Sequence, residues 1–530
     1  MDKPRSRHAQ TIRHLCLIVL CGASFRLLYQ IAFKPCWSGD SHGYSLMFYY
    51  WTQHFYSTSE RPPVFALFLG LAQWLAGDIP MAAGVGVASQ YLAVHLQSLL
   101  GLTAALGLYA ALRALELRPR IALAGALVFS LIGAVCLFEL LILTELLSLF
   151  LIVFGTCFFL YAMRALRAKA RFRWPALFSG LCFSLAILTR PENLVFFVTL
   201  VALLIVLCIR SHFRLSLRWA TRPLARLAFV LVASVAPLMV LWMSWTLLSI
   251  GEFRFNTFTG ITRTESVYNL FDRVEPADKV AGNLLEKSYL LKNRNGVVYR
   301  HHVWVAMPEL FQAAQLGLLP VPFKEPAPSN RHILELRHWL DRRFGLHEHM
   351  VSGGLLLVQP VDLYDYLGAL SGRLAWRNPS VYIRNVVDNF FRDTFSYSYA
   401  PPSPTETEDP RAPEGGSAVR QLRLYELALW INRIEAPLLS LAYVVLLGYV
   451  LFSPLLIFGG SDEYLLRDSA VVMLAVAAFS VTAASCVVAA YYPQHGIPFL
   501  GVLIICVCYA LQNHDRILRA LRPKANPPIQ

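Results

Sequence analysis

The sequence predicts an all-α polytopic membrane protein with about ten transmembrane helices, outer interfacial helices and one extracytoplasmic soluble insert. Of its 530 residues 56% are hydrophobic and only 15% are charged, and the mean hydropathy is +0.50. A soluble domain carries about a quarter charged residues, so much of this chain must face lipid. Ten apolar runs approach or exceed the roughly 20 residues that a membrane-spanning helix needs. They lie at 15–33, 85–112, 121–138, 145–163, 174–189, 193–209, 227–249, 429–453, 468–490 and 496–512.

Lysine and arginine residues are concentrated in alternate loops, which indicates the orientation of the chain. With the N-terminus inside, the cytoplasmic segments contain 22 of them, whereas the short outer loops contain only Lys34, Arg61 and Arg190. This positive-inside pattern predicts a multi-pass protein of the cell membrane (inner or plasma membrane) with cytoplasmic N- and C-termini. It also explains the net charge of +14 as topology, so we expect no nucleic-acid partner.

Two further segments complete the predicted organisation. Residues 62–76 are apolar but short, and a crossing there would move three arginines outside and invert every later loop, so we predict an outer interfacial or re-entrant helix. The polar stretch at 250–428 mixes apolar and charged positions, as short amphipathic helices do. The chain therefore divides into an N-terminal transmembrane catalytic module (1–249), an extracytoplasmic insert (250–428) and C-terminal transmembrane helices with a cytoplasmic tail (429–530).

Four polar features lie on the predicted outer side, where they could converge on one surface. They are the loop 37–44 with Asp40, the Glu60-Arg61 pair before the interfacial helix, the turn 189–193 with Arg190, and the run 491–498 with Tyr491, Tyr492 and His495. Charged residues close to a membrane usually mark sites or pathways. The set is therefore a candidate functional site facing the extracytoplasmic side.

Each feature also has a simpler interpretation. An isolated loop aspartate such as Asp40 is often a helix N-cap, and Arg190 with Glu192 could be an interfacial ion pair. Tyr491 and Tyr492 could belong to the aromatic belt at the membrane surface. Two further acids, Glu139 and Glu145, flank a short turn that solvent could reach.

At these residues the chain resembles the GT-C superfamily of multi-span glycosyltransferases, in particular the branch of protein O-mannosyltransferases and lipid A aminoarabinose transferases. Asp40 stands where that branch has an acid in the first outer loop, and Glu60-Arg61-Pro62-Pro63 matches an acidic–basic–Pro-Pro motif that opens an interfacial helix. The turns 143–145 and 188–192 and the late Tyr- and Pro-containing run also resemble it. The resemblance covers about 1–265 and 430–512. The first loop departs from the family pattern, because Ser41 follows Asp40 where an acidic pair is expected.

The resemblance implies an inverting glycosyltransferase of the cell envelope. It would move a hexosyl or pentosyl group from a polyprenyl-phosphate donor to an extracytoplasmic acceptor, which could be a lipid, a polysaccharide or a protein. Asp40 would act as general base, and Arg61 and Arg190 would hold the departing phosphate. Glu60 would position the acceptor or share a divalent ion, Mg²⁺ or Mn²⁺, with Asp40. The implied substrate-binding set also includes Glu145, Tyr491, Tyr492 and His495.

Two alternatives from other classes remain at this point, a transporter or lipid flippase and a structural scaffold. A transporter predicts ionisable residues or broken helices near the membrane midplane. The sequence contains one main interior charge, Arg26, and no clear broken helix. A scaffold does not account for the clustered outer motifs. The pattern as a whole favours the glycosyltransferase.

Overall fold

The computed structural model describes residues 4–35, 39–54, 61–78, 86–213, 218–250, 269–294, 302–321, 363–395, 462–488 and 498–521, with isolated residues within 253–267 and 430–451. All long elements in these ranges are helices. They are α1 (Pro4–Ala32), α2 (Gly39–His54), α3 (Pro63–Ala76), α4 (Val87–Ala114), α5 (Pro119–Ser130), α6 (Gly133–Leu140), α7 (Thr144–Arg167), α8 (Arg173–Ile187), α9 (Asn193–Phe213), α10 (Arg218–Ile250), α11 (Lys279–Arg294), α12 (His302–Gln315), α13 (363–377), α14 (Pro379–Phe395), α15 (Asp462–Val488) and α16 (Leu500–Leu521).

Among the described helices, six are long and apolar enough to cross a membrane, or seven if the bent pair α5–α6 is one span. The six are α1, α4, α7, α9, α10 and α15. The predicted multi-pass, all-helical architecture is therefore confirmed, whereas the count of ten crossings is not. The apolar helix α8 and the apolar part of α16 are shorter, and most of the predicted run 429–453 lies outside the described residues.

Helix α7 forms the centre of the transmembrane bundle. It contacts α4, α8, α15 and α16, and it is the most deeply buried of the candidate spans. Its side chains Leu146, Leu149 and Phe159 are fully buried in one large apolar core. In contrast, apolar side chains on peripheral helices, such as Trp174 and Phe229, are mostly exposed. In water this exposure would be unfavourable, so these side chains face the lipid.

Helix α3 has sharp local boundaries, which explains why its extent was predictable. The helix begins at Pro62 and Pro63. The first backbone N–H groups of a helix have no partner within it, so a proline at its start removes no hydrogen bond. It ends at Gly77, whose left-handed φ of 71° lets the chain turn and cap the last carbonyl groups. At 1.5 Å per residue its 14 residues extend about 21 Å, which is less than the roughly 30 Å of a bilayer core.

Helices α5 and α6 together are long and apolar enough to span a membrane, but a break between them bends the axis by 43°, as in a broken span or a re-entrant loop. A break inside a bilayer leaves carbonyl and amide groups without helical partners, and each needs another one. At the end of α5, Arg26 Nη1 donates to the Ser130 carbonyl oxygen at 3.0 Å. At the start of α6, the Glu435 carboxylate accepts the N–H groups of Gly133 and Ala134 at 2.6 and 3.2 Å. Charged side chains therefore satisfy both ends of the break.

The same arginine forms a buried ion pair with Glu139 of α6. Arg26 Nη2 lies 2.8 Å from Glu139 Oε1, and the two side chains are 4% and 2% exposed. Gly101 of α4 leaves the space that the pair occupies, because a Cβ atom there would overlap the Glu139 carboxylate. The simpler interpretation, in which solvent reaches Glu139, is therefore wrong. The helix pair α5–α6 also contains a break that was not clear from the sequence.

The insert between α10 and α15 has an apolar core of its own. Leu285 of α11, Leu310 of α12 and Leu367 of α13 are fully buried in a cluster separate from the transmembrane core. Beside it, buried Asp278 accepts hydrogen bonds from Tyr366 at 2.9 Å and from Arg373 at 2.7 Å. A second core is what an independently packed insert needs. The boundaries at 250 and 428 stay predictions.

The ion pair makes a stability prediction. Arg26→Met should lower the unfolding free energy by about 3–5 kcal/mol, since it leaves the Glu139 carboxyl group buried without its partner. Adding Glu139→Leu should recover much of this loss, because no unpaired charge then remains. Thermal unfolding in detergent micelles measures both variants. Arg13→Met, at an exposed position of α1, is the control and should change little. If the two substitutions lower the unfolding free energy additively in the double variant, Arg26 and Glu139 do not act as a pair.

Candidate active site

The short helices α2 and α3 are attached to two turns at one end of the bundle. Ser41 Oγ in the first turn of α2 donates to the carbonyl oxygen of Ile142, at 2.5 Å, in the turn between α6 and α7. At the start of α3, the backbone N–H of Val64 donates to the carbonyl oxygen of Leu188 at 3.1 Å, in the turn between α8 and α9. Gln97 of α4 donates to the Leu143 carbonyl at 3.0 Å. The motif-bearing segments are thus joined at one end of the bundle.

Arg61 packs against the beginning of α2. Its guanidinium carbon lies 4.8 Å from the centre of the Tyr44 ring, a cation–π distance. Gly43 permits this approach, because a Cβ atom there would lie 3.0 Å from Arg61 Nε. Tyr44 is buried and meets the ring of Phe65 edge-on at 5.0 Å. The guanidinium is therefore held partly buried between α2 and α3.

Arg190 is enclosed between two carboxylates in the turn between α8 and α9. Its Nη1 lies 2.7 Å from Glu145 Oε1, at the start of α7, and its Nε lies 2.5 Å from Glu192 Oε1. The Arg190 and Glu145 side chains are 7% and 4% exposed, and Glu192 is 22% exposed. Burial alone lowers the pKa of Arg190, but Glu192 and Glu145 outweigh that effect and raise it. The group is a permanently charged, internally paired unit.

Asn193 anchors this unit to the central helix. Its side-chain amide donates to Ser148 Oγ of α7 at 2.8 Å and to the Ala186 carbonyl of α8 at 2.7 Å. The turn 188–192 is therefore attached to α7 and α8, and the paired charges have little freedom to move. Such positioning by buried hydrogen bonds is what a preorganised site requires.

Three of the residues predicted for the site have described side chains, namely Arg61, Glu145 and Arg190, and all lie at this end of the bundle. Asp40 lies in the first turn of α2, where a loop had been predicted, and its side chain is outside the described residues. Glu60, Tyr491, Tyr492 and His495 also lie outside them. The proposed Asp40–Glu60 site thus stays a prediction.

The simpler interpretation, in which solvent reaches Glu145, is wrong, whereas its predicted substrate-binding role stays a prediction. The acid is buried because Arg190, 45 positions later, folds onto it. The supporting residues Ser41, Gly43 and Tyr44 were not identified as part of the site, although they lie beside Asp40 in the sequence. In the described ranges no three His, Cys, Asp or Glu side chains are grouped as a metal site would require.

Residues 17–250, a little under half of the chain, match the model of the dolichyl-phosphate-mannose-protein mannosyltransferase family. No curated protein sequence matches the chain.

Solved structures of two enzymes are similar to the chain. One is the oligosaccharyltransferase AglB of Archaeoglobus fulgidus with an inhibitory peptide and a dolichol-phosphate, at 13% identity and a TM-score of 0.48, covering 99% of this chain and 53% of that one. The same enzyme with Zn and sulfate has 11% identity, a TM-score of 0.37 and coverages of 80% and 53%. ArnT of Cupriavidus metallidurans bound to undecaprenyl phosphate has 16% identity, a TM-score of 0.33 and coverages of 96% and 81%.

The chain thus spans about half the length of the archaeal enzyme. All three TM-scores are below 0.5, and none of these likenesses assigns a site or a ligand to this chain. The family match is confined to residues 17–250, and it is to the protein mannosyltransferase branch that the sequence motifs resemble.

Proposed function

We propose that the chain transfers a sugar from a polyprenyl-phosphate donor to an extracytoplasmic acceptor. The main support is that α2 and α3, with Arg61 between them, are bound to the turns that carry Glu145 and Arg190. The name of the family matched by residues 17–250 includes a polyprenyl-phosphate sugar, dolichyl-phosphate mannose, as donor. A guanidinium at the membrane face suits such a donor, since arginine binds phosphate through charge-assisted hydrogen bonds.

We assign the donor phosphate to Arg61 in preference to Arg190. The charge of Arg190 is already balanced by Glu145 and Glu192 at ion-pair distances, so a phosphate would have to displace a buried carboxylate. Arg190 and Glu145 then act as positioning residues that hold the turns around the site. Arg61 lies against the ring of Tyr44, in the helix that contains Asp40, and it belongs to the acidic–basic–Pro-Pro motif.

In the proposed reaction Asp40 takes a proton from the acceptor hydroxyl while its oxygen attacks the anomeric carbon of the sugar. The bond from that carbon to the phosphate oxygen breaks on the opposite face, which inverts the configuration. The polyprenyl phosphate leaves with the bonding electrons, and Arg61 stabilises its charge. Tyr491, Tyr492 and His495 are proposed to contact the substrates at the mouth of the last hairpin.

A divalent ion, Mg²⁺ or Mn²⁺, is a further proposal for Asp40 and Glu60, whose oxygen atoms are the ligands such ions prefer. Glu145 and Glu192 do not fit as ligands, because both are paired with Arg190. When bound, the ion would neutralise phosphate charge. Without it, Glu60 is proposed to position the acceptor.

The proposed reaction takes place on the extracytoplasmic face of a chain with ten crossings and both termini inside. Single cysteines replacing Ser59 and Asp78, on either side of α3, should therefore react with the same membrane-impermeant thiol reagent from outside. Arg171→Cys, between α7 and α8, should react only after the membrane is opened. A cysteine-free background and intact vesicles are required. Labelling of positions 59 and 78 from opposite faces would refute the outer placement of α3.

The donor class can be tested with purified protein in lipid vesicles. A set of polyprenyl-phosphate sugars and the corresponding nucleotide sugars should be supplied separately with membrane extract as acceptor. Transfer is expected from a lipid-linked donor only, because the motifs face the side where nucleotide sugars are not available. Turnover with a nucleotide sugar alone would refute the proposal.

Two substitutions separate chemistry from donor binding. Asp40→Asn should slow transfer by about 10²–10⁴-fold, the usual contribution of a positioned base, and leave donor affinity nearly unchanged. Arg61→Ala should weaken donor binding by about tenfold or more, because the phosphate loses a charge-assisted hydrogen bond. Lys34→Ala, which removes an exposed cation before α2, is the matched control. If Asp40→Asn turns over at a near-normal rate, Asp40 is not the general base and is only an aspartate at the start of a helix.

A further inference from the structure

The backbone at Arg61 is restrained on its C-terminal side. Arg61 stands directly before Pro62, and a residue that precedes proline is restricted to extended backbone conformations. Pro62 has φ −65° and ψ 153°, and the N–H of Val64 is bonded to the Leu188 carbonyl oxygen at 3.1 Å. The backbone at Arg61 is therefore fixed relative to the turn between α8 and α9. Its long, rotatable side chain still needs a fixed direction.

Gly43 and Tyr44, consecutive residues of α2, supply that direction. A Cβ atom at Gly43 would lie 3.0 Å from Nε, 3.5 Å from Cζ and 3.7 Å from Cδ of Arg61, so the side chain passes closely over the glycine. The guanidinium carbon lies 4.8 Å from the centre of the Tyr44 ring. A cation is attracted to the face of an aromatic ring, and more strongly where water is excluded. Tyr44 is buried, so the contact is of the stronger kind.

The Tyr44 ring is itself held in place by α3. Phe65 meets it edge-on with 5.0 Å between the ring centroids, an arrangement that aromatic pairs favour. Phe65 is fully buried and stacks on Phe68, with their centroids 5.7 Å apart. The ring is therefore a fixed surface on which the guanidinium lies, and both helices contribute to it.

Contact with a ring differs from pairing with a carboxylate. The ring orients the guanidinium without supplying a negative charge, whereas the two carboxylates beside Arg190 balance the charge of that residue. A phosphate can therefore bind Arg61 while the contact with Tyr44 stays intact. Tyr44 also follows Asp40 by four residues in α2, so positions 40 and 44 share one face of the helix, one turn apart. The ring thus brings the arginine to the face of α2 on which the proposed base lies.

We propose that Tyr44 is a positioning residue for the donor. Its ring fixes the Arg61 guanidinium where the donor phosphate binds, one helical turn from Asp40. This inference rests on the proposed function, because it assigns the phosphate to Arg61. Gly43 belongs to the same arrangement, since a larger residue there would push the arginine side chain off the ring. Tyr44 acts through Arg61 and takes no part in the chemical step.

Donor binding can be measured without sugar transfer. The probe is undecaprenyl phosphate, a polyprenyl phosphate that carries no sugar, titrated calorimetrically into the purified full chain in detergent micelles. Tyr44→Phe should bind it within about twofold of wild type, because the aromatic face remains. Tyr44→Leu should bind about three- to tenfold more weakly, the range of one cation–π contact, and Gly43→Ala should weaken binding in the same direction. Tyr91→Leu, at an exposed tyrosine of α4, is the matched control and should keep wild-type affinity.

A graded change at position 44 separates the electronic effect of the ring from its packing. Phenylalanine and its mono-, di- and trifluorinated forms have nearly the same shape, but each added fluorine weakens the attraction of the ring for a cation. Affinity for the probe should therefore fall stepwise along this series. In an Arg61→Ala background the same series should show no trend, because the cation is gone. The fluorinated rings keep the packing, so the series decides the question even if Tyr44→Leu is unstable.

The outcomes distinguish this inference from the proposed function. If affinity stays constant along the fluorinated series, or if Tyr44→Phe loses as much affinity as Tyr44→Leu, Tyr44 does not act through the face of its ring. The inference is then wrong, while the assignment of the phosphate to Arg61 stands on its own test. If the wild-type chain binds no undecaprenyl phosphate, the proposed function and this inference are both wrong.

Discussion

The bundle depends on satisfying the backbone at the break between α5 and α6, a bent pair that forms either a broken span or a re-entrant loop. No water in a bilayer core can take the place of missing helical partners, so the break between α5 and α6 needs side chains that supply them. Arg26 donates a hydrogen bond to the last carbonyl group of α5, and the Glu435 carboxylate accepts hydrogen bonds from the first amide groups of α6. The Arg26–Glu139 pair then balances the charge that Arg26 brings into the core. An interrupted span is in this way compatible with lipid.

The interruption positions the candidate active site. Helix α6 leads directly into the turn 141–143, to which Ser41 of α2 and Gln97 of α4 are bonded. The next residues begin α7, and Glu145 in its first turn holds Arg190. A shift of α6 would therefore move both the start of α2 and the anchored turn 188–192. The ion pairs here act as geometric constraints more than as sources of stability, which is the usual balance for buried pairs.

The two ends of α7 carry side chains of opposite charge. Its first turn presents an acid to a buried arginine, and its last turn presents arginines around the shared carboxylate of Glu116. Both arrangements agree with the macrodipole, since acids are favoured at a helix start and bases at its end. The buried Arg26–Glu139 pair, an interior charge of the kind that a transporter would also predict, connects α1 to α6 and, through Arg26, to the end of α5. The pair thus acts as a structural element of the bundle.

The sequence by itself determined the features that depend on local chemistry. Apolar runs and the distribution of lysine and arginine predicted a multi-pass helical protein, and Pro62, Pro63 and Gly77 bounded α3, because start and stop signals act within one turn. Only the tertiary structure decided which charges are buried. Glu139 and Glu145 look alike in the sequence, flanking one turn, yet each is enclosed by an arginine distant in the chain. Burial of a charge depends on the partner that the fold brings to it, and no local pattern contains that partner.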